Sequence, residues 1–469
     1  MAYIVEQKDI DILRQANRTL YTKVELLNHD FKVVDSIEGT LISDSLSIDA
    51  ESDIRRTYSC ELFVKNSSFL IGNDKKIWID KYIRPYIGVM HQRSREVVWY
   101  LNGTFLFNDT NYAFDSTTRT LSLSCSDLMC SITGERGSYI DGLSIVIQEG
   151  SYIRDVIISL LEEAGFLKYR VEDIGKTVPY DLEYSSGTSY YDILKELIEL
   201  YAGYEMFFDI DGMFVVQSIP TTKDEPSVLD TSIFSPLVIS ENISNSFNNI
   251  YNVTQVWGSV IDADYYTQNV TTSDGIYYNA TFEQVSEFDN FGKYGIRITT
   301  TNSKNPQLNI NDLGYKNIVD DDGSVLESGK LLANTDYVVK YRKATDDFLL
   351  LGQYQAYAEY KCTEEDNPFS IPNLGYEIRQ VLQFEELYSD SLCAQRAKYE
   401  TWLATRMKDT VSLDIVSIPF LDVNWKITYT SYQTGITQDY IIKSISGSNS
   451  ESTMTITMIK YSELYPDIV

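Results

Sequence analysis

The sequence predicts a mainly β, α+β protein, and three observations carry that expectation. Its composition is rich in Ile, Val and Thr and holds 36 Tyr against 5 Trp, which suits half-buried pleated surfaces. Many short runs alternate apolar and polar residues. Clusters of Asp, Asn, Ser and Gly separate those runs as turns would. At 469 residues and 43% hydrophobic content, the chain is long enough for roughly three domains with real cores.

Residues 1–136 read as a first β domain. From Tyr21 to about Arg136 the runs YTKVELL, GTLISDSLSI, TYSCELFV, KIWIDKYIRPYIGVM, VVWYLNGTFLFNDT and TRTLSLSCSDLM follow one another at short intervals, as in a barrel or sandwich. The pattern changes at Gly150. In SYIRDVIISLLEEAG the residues Ile153, Val156, Ile157, Leu160, Leu161 and Ala164 fall at helical spacing, with Ser151 as the expected N-cap and Gly165 as the stop. TSYYDILKELIELYAGY predicts a second helix with the stripe Ile193, Leu194, Leu197, Ile198 and Tyr201. Ser189 with Asp192 resembles a capping box there, and Gly203 ends the helix. Both stripes read as core rather than as a ligand site. YEMFFDIDGMFVVQSI predicts a hairpin turning at Asp211-Gly212. Residues 137–206 therefore read as a small α+β insertion, and 207–261 are expected to complete the first barrel through Val253 and Val256.

Residues 262–362 read as a further β-rich inserted module with turn signals in NDLG, DDDGS and ESGK. Asp320, Asp321 and Asp322 precede Gly323, and a calcium loop needs such spaced oxygens. No EF-hand ladder with a terminal Glu follows, so a solvated turn is expected. Residues 363–469 read as a second β-barrel domain with one helix after Ser389, where Leu392, Tyr399, Leu403 and Met407 share a face. In its closing strands Val411, Leu413 and Ile415 alternate with Ser412 and Asp414, and Met454, Ile456 and Met458 alternate with Thr453, Thr455 and Thr457. WKITYT and DYIIKSISGS add two more, enough to close a small barrel.

Charge and chemistry narrow the function classes. With 39 basic and 68 acidic residues the formal charge is −29, which argues against a nucleic-acid clamp or a binder of anionic membranes, since both need a cationic face. The five cysteines Cys60, Cys125, Cys130, Cys362 and Cys393 are odd in number and scattered, so free thiols are expected rather than a disulfide framework. Cys125 and Cys130 have no second pair or nearby His for a zinc site. The N-terminus MAYIVEQKDIDILRQANRTL is charged throughout and no later stretch approaches a membrane span, so a soluble chain made in the cytosol is expected. The triplets Asn102-Gly103-Thr104 and Asn252-Val253-Thr254 are then chance matches to a glycosylation signal.

No catalytic, cofactor-binding or metal-binding residues are assigned, and a non-enzyme is expected. Only His29 and His91 exist, in LLNHDFKV and VMHQRSRE, neither near a recognisable Cys or Ser nucleophile motif. Both read as surface-loop residues. No zinc-protease helix, phosphate-binding loop or dinucleotide fingerprint is present. Glycosidase chemistry needs only two carboxylates, and 68 acidic residues make any pair uninformative without coordinates.

Three ordered stretches resemble the tail-hub family of phages and related contractile injection systems, in particular the versions from phages of Gram-positive bacteria. They are IRRTYSCELFVKN with IWIDKYIRPYIGV, WYLNGTFLFND and LSLSCSDLMCSITGERG; GTSYYDILKELIELYAGYEMFFDIDGMFVV; and AQRAKYETWLATRMKDTVSLDIVSIPFLDVNWKITYT with DYIIKSISGS. Separately, the 262–362 region resembles a β module of phage tail fibres, on Asn311, Leu313, Gly314, Leu350, Leu351 and Gly352. The resemblance implies two small β-barrel hub domains per chain and a homotrimer whose six barrels adapt a sixfold tail tube to a threefold tip. The implied partners are the tail tube or distal tail protein ring, the C-terminus of the tape-measure protein, and a tip spike or receptor-binding fibre protein. The implied location is the virion tail tip or baseplate, after assembly in the bacterial host cytoplasm. A trimer would carry three times −29, or −87, so DNA could pass through its channel without specific binding. Two other classes stay open: a carbohydrate-binding adhesin of the tail tip, from the aromatic content, and a tail-associated cell-wall hydrolase.

Overall fold

The computed structural model describes residues 5–460 except 39–40, 65–70, 115–118, 141, 143, 179–180, 201–202, 223–224, 261–262, 321, 386, 388 and 406–408. The protein is mainly β, as expected, with a few helices. The chain divides into two compact units. One holds residues 1–199, 203–248 and 407–465, and the other is built chiefly from 249–406.

In the first unit a single 14-stranded sheet runs through two lobes. The N-terminal lobe takes the eight strands between Leu20 and Asp127, and the alternation seen in sequence is what folds it. Along Arg56–Phe63, Arg56, Tyr58, Cys60 and Leu62 turn inward while Thr57, Ser59 and Phe63 face out. The C-terminal lobe is built on Asp409–Val416, Lys426–Thr430, Thr437–Gly447 and Thr453–Ile459, with Val411, Leu413, Ile415, Ile456 and Met458 buried. The lobes join by strand pairing. Ser444, Ile445, Ser446 and Gly447 lie opposite Asp49, Ile48, Ser47 and Leu46 in antiparallel register. One apolar cluster continues across that seam, from Val24, Tyr58 and Leu123 to Leu413, Ile442 and Ile456.

The segment expected to complete the first barrel goes elsewhere. Val238–Asn245 pairs with Asp409–Val416, and Ser227–Leu229 pairs with Lys426–Thr430, so both join the C-terminal lobe. Val253–Val260 lies in the second unit between Gln355–Lys361 and Arg379–Gln383. Alternation marks a buried face but not the edge a strand pairs with, which is why these runs were readable as strands and not as neighbours. The 363–469 region is divided in the same way, since Arg379–Gln383 and the helix Asp390–Ala404 belong to the second unit.

That helix also differs in the face it buries. Leu392 and Tyr399 are buried, but Leu403 is only half-buried, and Met407 lies outside the described residues. The inward row is Cys393, Ala397 and Thr401, small side chains that bring the helix close to its sheet. Thr401 Oγ1 donates to Thr254 Oγ1 at 2.8 Å. At Gly258 a Cβ would stand 1.9 Å from the carbonyl oxygen of Leu387 and 2.9 Å from Cys393 Sγ, so only glycine fits. The rest of this unit is an eight-stranded sheet between Tyr265 and Gln353 with its own core of Tyr278, Tyr294, Ile296, Leu308 and Phe348.

The α+β insertion follows its sequence signals closely. Helix Ile153–Glu163 buries Ile153, Ile157, Leu160 and Leu161 and stops at Gly165. Gly165 N donates to the Glu162 carbonyl and Phe166 N to that of Leu161, which satisfies the last turn. Its N-cap is Tyr152 rather than Ser151, with no side-chain cap bond, because Tyr152 still bridges to Thr177 in extended conformation. Ser189 does cap the helix Tyr190–Glu199, its Oγ accepting from Asp192 N at 3.1 Å and donating to the Asp192 carboxylate at 2.6 Å. Ile193, Leu194, Leu197 and Ile198 are buried there, and Tyr201 lies outside the described residues. Tyr204–Phe208 and Phe214–Ser218 form the expected hairpin, with Gly212 at φ +77° in its turn.

Asp414 ties three strands of the C-terminal lobe together. Ser240 and Thr455 hydroxyls each donate to it at 2.7 Å, and these bonds hold its carboxyl below the usual range. The stabilisation is therefore in place above the ordinary carboxylate pKa near 4 and is lost as the pH falls through the lowered value. Asp414→Ala is expected to lose about 1 kcal/mol or less at pH 7, since the site is exposed. The deficit should shrink as the pH is lowered toward about 3, measured by urea unfolding at each pH.

Candidate functional site

Two adjacent arginines, Arg55 just before the strand Arg56–Phe63 and Arg56 at its start, have to be accommodated by the core. Arg56 is 1% exposed and Arg55 is 4% exposed. An ion so buried is tolerated only when paired and hydrogen-bonded. The partners come from three segments distant in sequence. Arg56 Nη1 donates to the Phe208 carbonyl at 2.9 Å, and its Nη2 meets the two Asp422 carboxylate oxygens at 2.6 and 2.5 Å. Its backbone N donates to Asp127 Oδ2 at 2.9 Å, while Asp127 Oδ1 caps the short turn at Leu128–Ser131 through Met129 N. Burial pushes the Asp127 carboxyl up, and these N–H groups oppose that.

Arg55 extends the network toward the hairpin of the insertion. Its Nη2 donates to Glu205 Oε2 at 2.5 Å, and its guanidinium lies 3.6 Å from the centre of the Phe207 ring. Glu205 also accepts from Gln217 at 2.9 Å and from Asn424 at 3.1 and 2.8 Å. Asn424 Oδ1 accepts from Lys443 Nζ at 3.0 Å. The N-terminal lobe, the insertion and the C-terminal lobe are thus held at one buried ionic junction. Among the described residues the Nε atoms of Arg55 and Arg56 have no partner, so the network is not fully satisfied.

A cleft of about 910 Å³ opens beside the junction, lined by Arg55, Asn102, Phe207, Asp209, Asp422 and Trp425 among others. Two of its carboxylates, Asp422 and Asp209, are committed. Asp422 is held by Arg56. Asp209, which burial pushes up, spends Oδ1 on the backbone N–H groups of Asp211 and Met213 in the hairpin turn. Asn102 Nδ2 donates to Asn449 Oδ1 across the seam between the lobes. The arrangement fastens segments to one another.

The residues singled out in the sequence fall apart in space. His29 is an exposed residue 3.2 Å from Asp30. His91 differs from the loop expectation: it ends the strand Tyr82–His91, is only 12% exposed in its side chain, and lies 2.9 Å from Ser94 Oγ and 3.8 Å from Asp11. Asp320 pairs with Lys330 at 3.4 Å, Asp322 accepts from Ser324 N at 2.8 Å, and Asp321 lies outside the described residues. Among the described residues no three His, Cys, Asp or Glu side chains are grouped to hold a metal ion, and no helix is long and apolar enough to cross a membrane. Arg55 and Arg56 carried no role in the sequence reading. The available signal was a charged pair opening an otherwise alternating strand.

The first unit is thus a strand-paired, two-lobed β sheet fastened to an α+β insertion by a buried ionic junction. The chain has the fold of prophage tail proteins. The 43 kDa tail protein of prophage MuSo2 from Shewanella oneidensis matches with a TM-score of 0.51 at 11% identity, over 94% of this chain and 98% of that one. The tail protein from Neisseria meningitidis MC58 matches with a TM-score of 0.50 at 10% identity, over 95% and 98%. Residues 366–465 match a family described as a domain of unknown function, DUF5048. None of the curated proteins compared with this chain matches it.

Two outcomes follow from this geometry. Asp422→Ala leaves Arg56 buried without its counter-ion and is expected to destabilise the chain by about 3 kcal/mol, the low end for a broken buried pair because Asp422 is 24% exposed. Adding Arg56→Met should restore part of that loss in urea unfolding, and strictly additive effects would contradict the coupling. The five cysteines are free and buried. Burial pushes Cys60 and Cys362 up to about 12 and Cys130 up to about 11. The native chain is expected to resist iodoacetamide at pH 8 and to take it up at all five positions only after unfolding, as read by mass spectrometry.

Proposed function

We propose that this chain is a non-catalytic structural protein of a phage-type tail, the hub that closes the end of the tail tube. It acts as a homotrimer, adapts the sixfold tube to a threefold tip and lines part of the DNA channel. The observation that carries this reading is the paired seam between Ser444–Gly447 and Leu46–Asp49, which makes two β lobes of each chain one continuous sheet. Three such chains supply six lobes, the number a sixfold tube must meet. A closed ring of this kind forms by heterologous contacts. The fold shared with prophage tail proteins supports the tail setting, and the charge of −29 suits a channel that DNA traverses without adhering.

In this role the chain docks on the tail tube or distal tail ring above, receives the tape-measure C-terminus, and carries a tip spike or receptor-binding protein below. The 262–362 region is a fibre-like module carried by the hub. Native mass spectrometry of the purified chain is expected to give three times 53.7 kDa, and cryo-EM class averages a threefold ring with an axial pore. A chain that stays monomeric at high concentration, and whose deletion leaves tails fully assembled, would overturn the reading.

A further inference from the structure

We propose that the eight-stranded module binds a neutral saccharide in a groove walled by the Tyr277–Tyr315 pair. The groove lies where Val270–Thr271 and Tyr277–Ala280 end the sheet. Along Tyr277–Ala280 the buried Tyr278 and Ala280 fill the core, so Tyr277 and Asn279 face outward, with Thr271 opposite Asn279. The Tyr315 ring stands 5.1 Å from that of Tyr277 at 73°. The two tyrosines are 47% and 43% exposed, although the core beneath them is closed by other aromatics such as Tyr278, Tyr294 and Phe348.

The walls are set before anything binds. Tyr315 OH and Asn309 Nδ2 both donate to Asn279 Oδ1, at 2.8 and 3.0 Å. In the turn above, Asp274 Oδ1 accepts from Ile276 N and Tyr277 N, Thr272 Oγ1 accepts from Gly275 N, and Ser303 Oγ donates to the Asp274 carbonyl. Gly275 sits at φ +69°, so close to the next chain segment that a Cβ would stand 2.6 Å from the Thr301 carbonyl oxygen. Fixed walls lower the ordering cost of binding.

Open chemistry faces the groove. Among the described residues the hydroxyls of Tyr277, Thr271 and Ser273 and the Asn279 amide NH₂ have no protein partner, and all four residues line the groove. An exposed edge-to-face tyrosine pair beside hydroxyl and amide groups matches a pyranose, which offers a C–H face and a hydroxyl rim. Among the described residues Asp274 is the only acid lining the groove and no Lys or Arg does, which favours a neutral sugar over an anionic glycan or a phosphate. The volume of about 600 Å³ and its open form suit one or two sugar rings.

The test is saturation-transfer NMR on the full chain with chitotriose, lactose, maltotriose, methyl α-L-rhamnoside and the anionic 3′-sialyllactose. Transfer is expected to at least one neutral sugar, with affinity on the order of millimolar. Tyr315→Ala should weaken it roughly tenfold. Thr271→Val, near-isosteric and on the groove wall, should also weaken binding and serves if Tyr315→Ala melts early. Transfer to none of the neutral sugars, transfer to sialyllactose alone, or binding unchanged by the weakening variants overturns the proposal.

Discussion

The first unit depends on satisfying one guanidinium group. Arg56 is enclosed by core, so its charge must be met inside, and the groups that meet it arrive from Phe208 and Asp422, while Asp127 holds its backbone N–H. A buried ion pair adds little net stability over a well-packed apolar substitute, yet losing one partner costs several kcal/mol. The junction therefore discriminates among arrangements more than it stabilises any of them. If the insertion hairpin were seated one residue out of register, the Phe208 carbonyl and the Glu205 carboxylate would both leave their arginines. Stability comes instead from the apolar cluster that crosses the seam between the lobes.

Much of the secondary structure was legible because it is written in local periodicity. Val411, Leu413 and Ile415 bury one side of a strand as their spacing requires, and Gly165 ends its helix through a left-handed turn that favours glycine. Pairing was less legible. Val253 and Val256 are fully buried as their run implied, but against Gln355–Lys361 and Arg379–Gln383 rather than the first lobe. The helix after Ser389 misled because its long apolar residues outweigh Cys393, Ala397 and Thr401 in any stripe count. Close approach to the sheet at Gly258 selects small residues there.

The site was the least legible part, for a physical reason. Arg55 and Arg56 look like surface charges in a one-dimensional reading, because their partners lie as many as 366 residues away. Asn311 is the opposite case. Its side chain bonds the Phe282 N and the carbonyls of Phe282 and Val285 from a left-handed backbone position, and its place in an NDLG turn marked it in the sequence. Turn chemistry is local and leaves a motif, whereas charge burial is a property of the assembled fold.

The seam between the lobes also orders events in time. Leu41–Asp49 is made early in synthesis, but its partner Thr437–Gly447 emerges nearly four hundred residues later. Until then the nascent N-terminal lobe presents an open edge, a template on which another chain can pair. Contacts so distant in sequence form slowly. The interval between them is therefore a period of exposure in which the growing chain is vulnerable to aggregation.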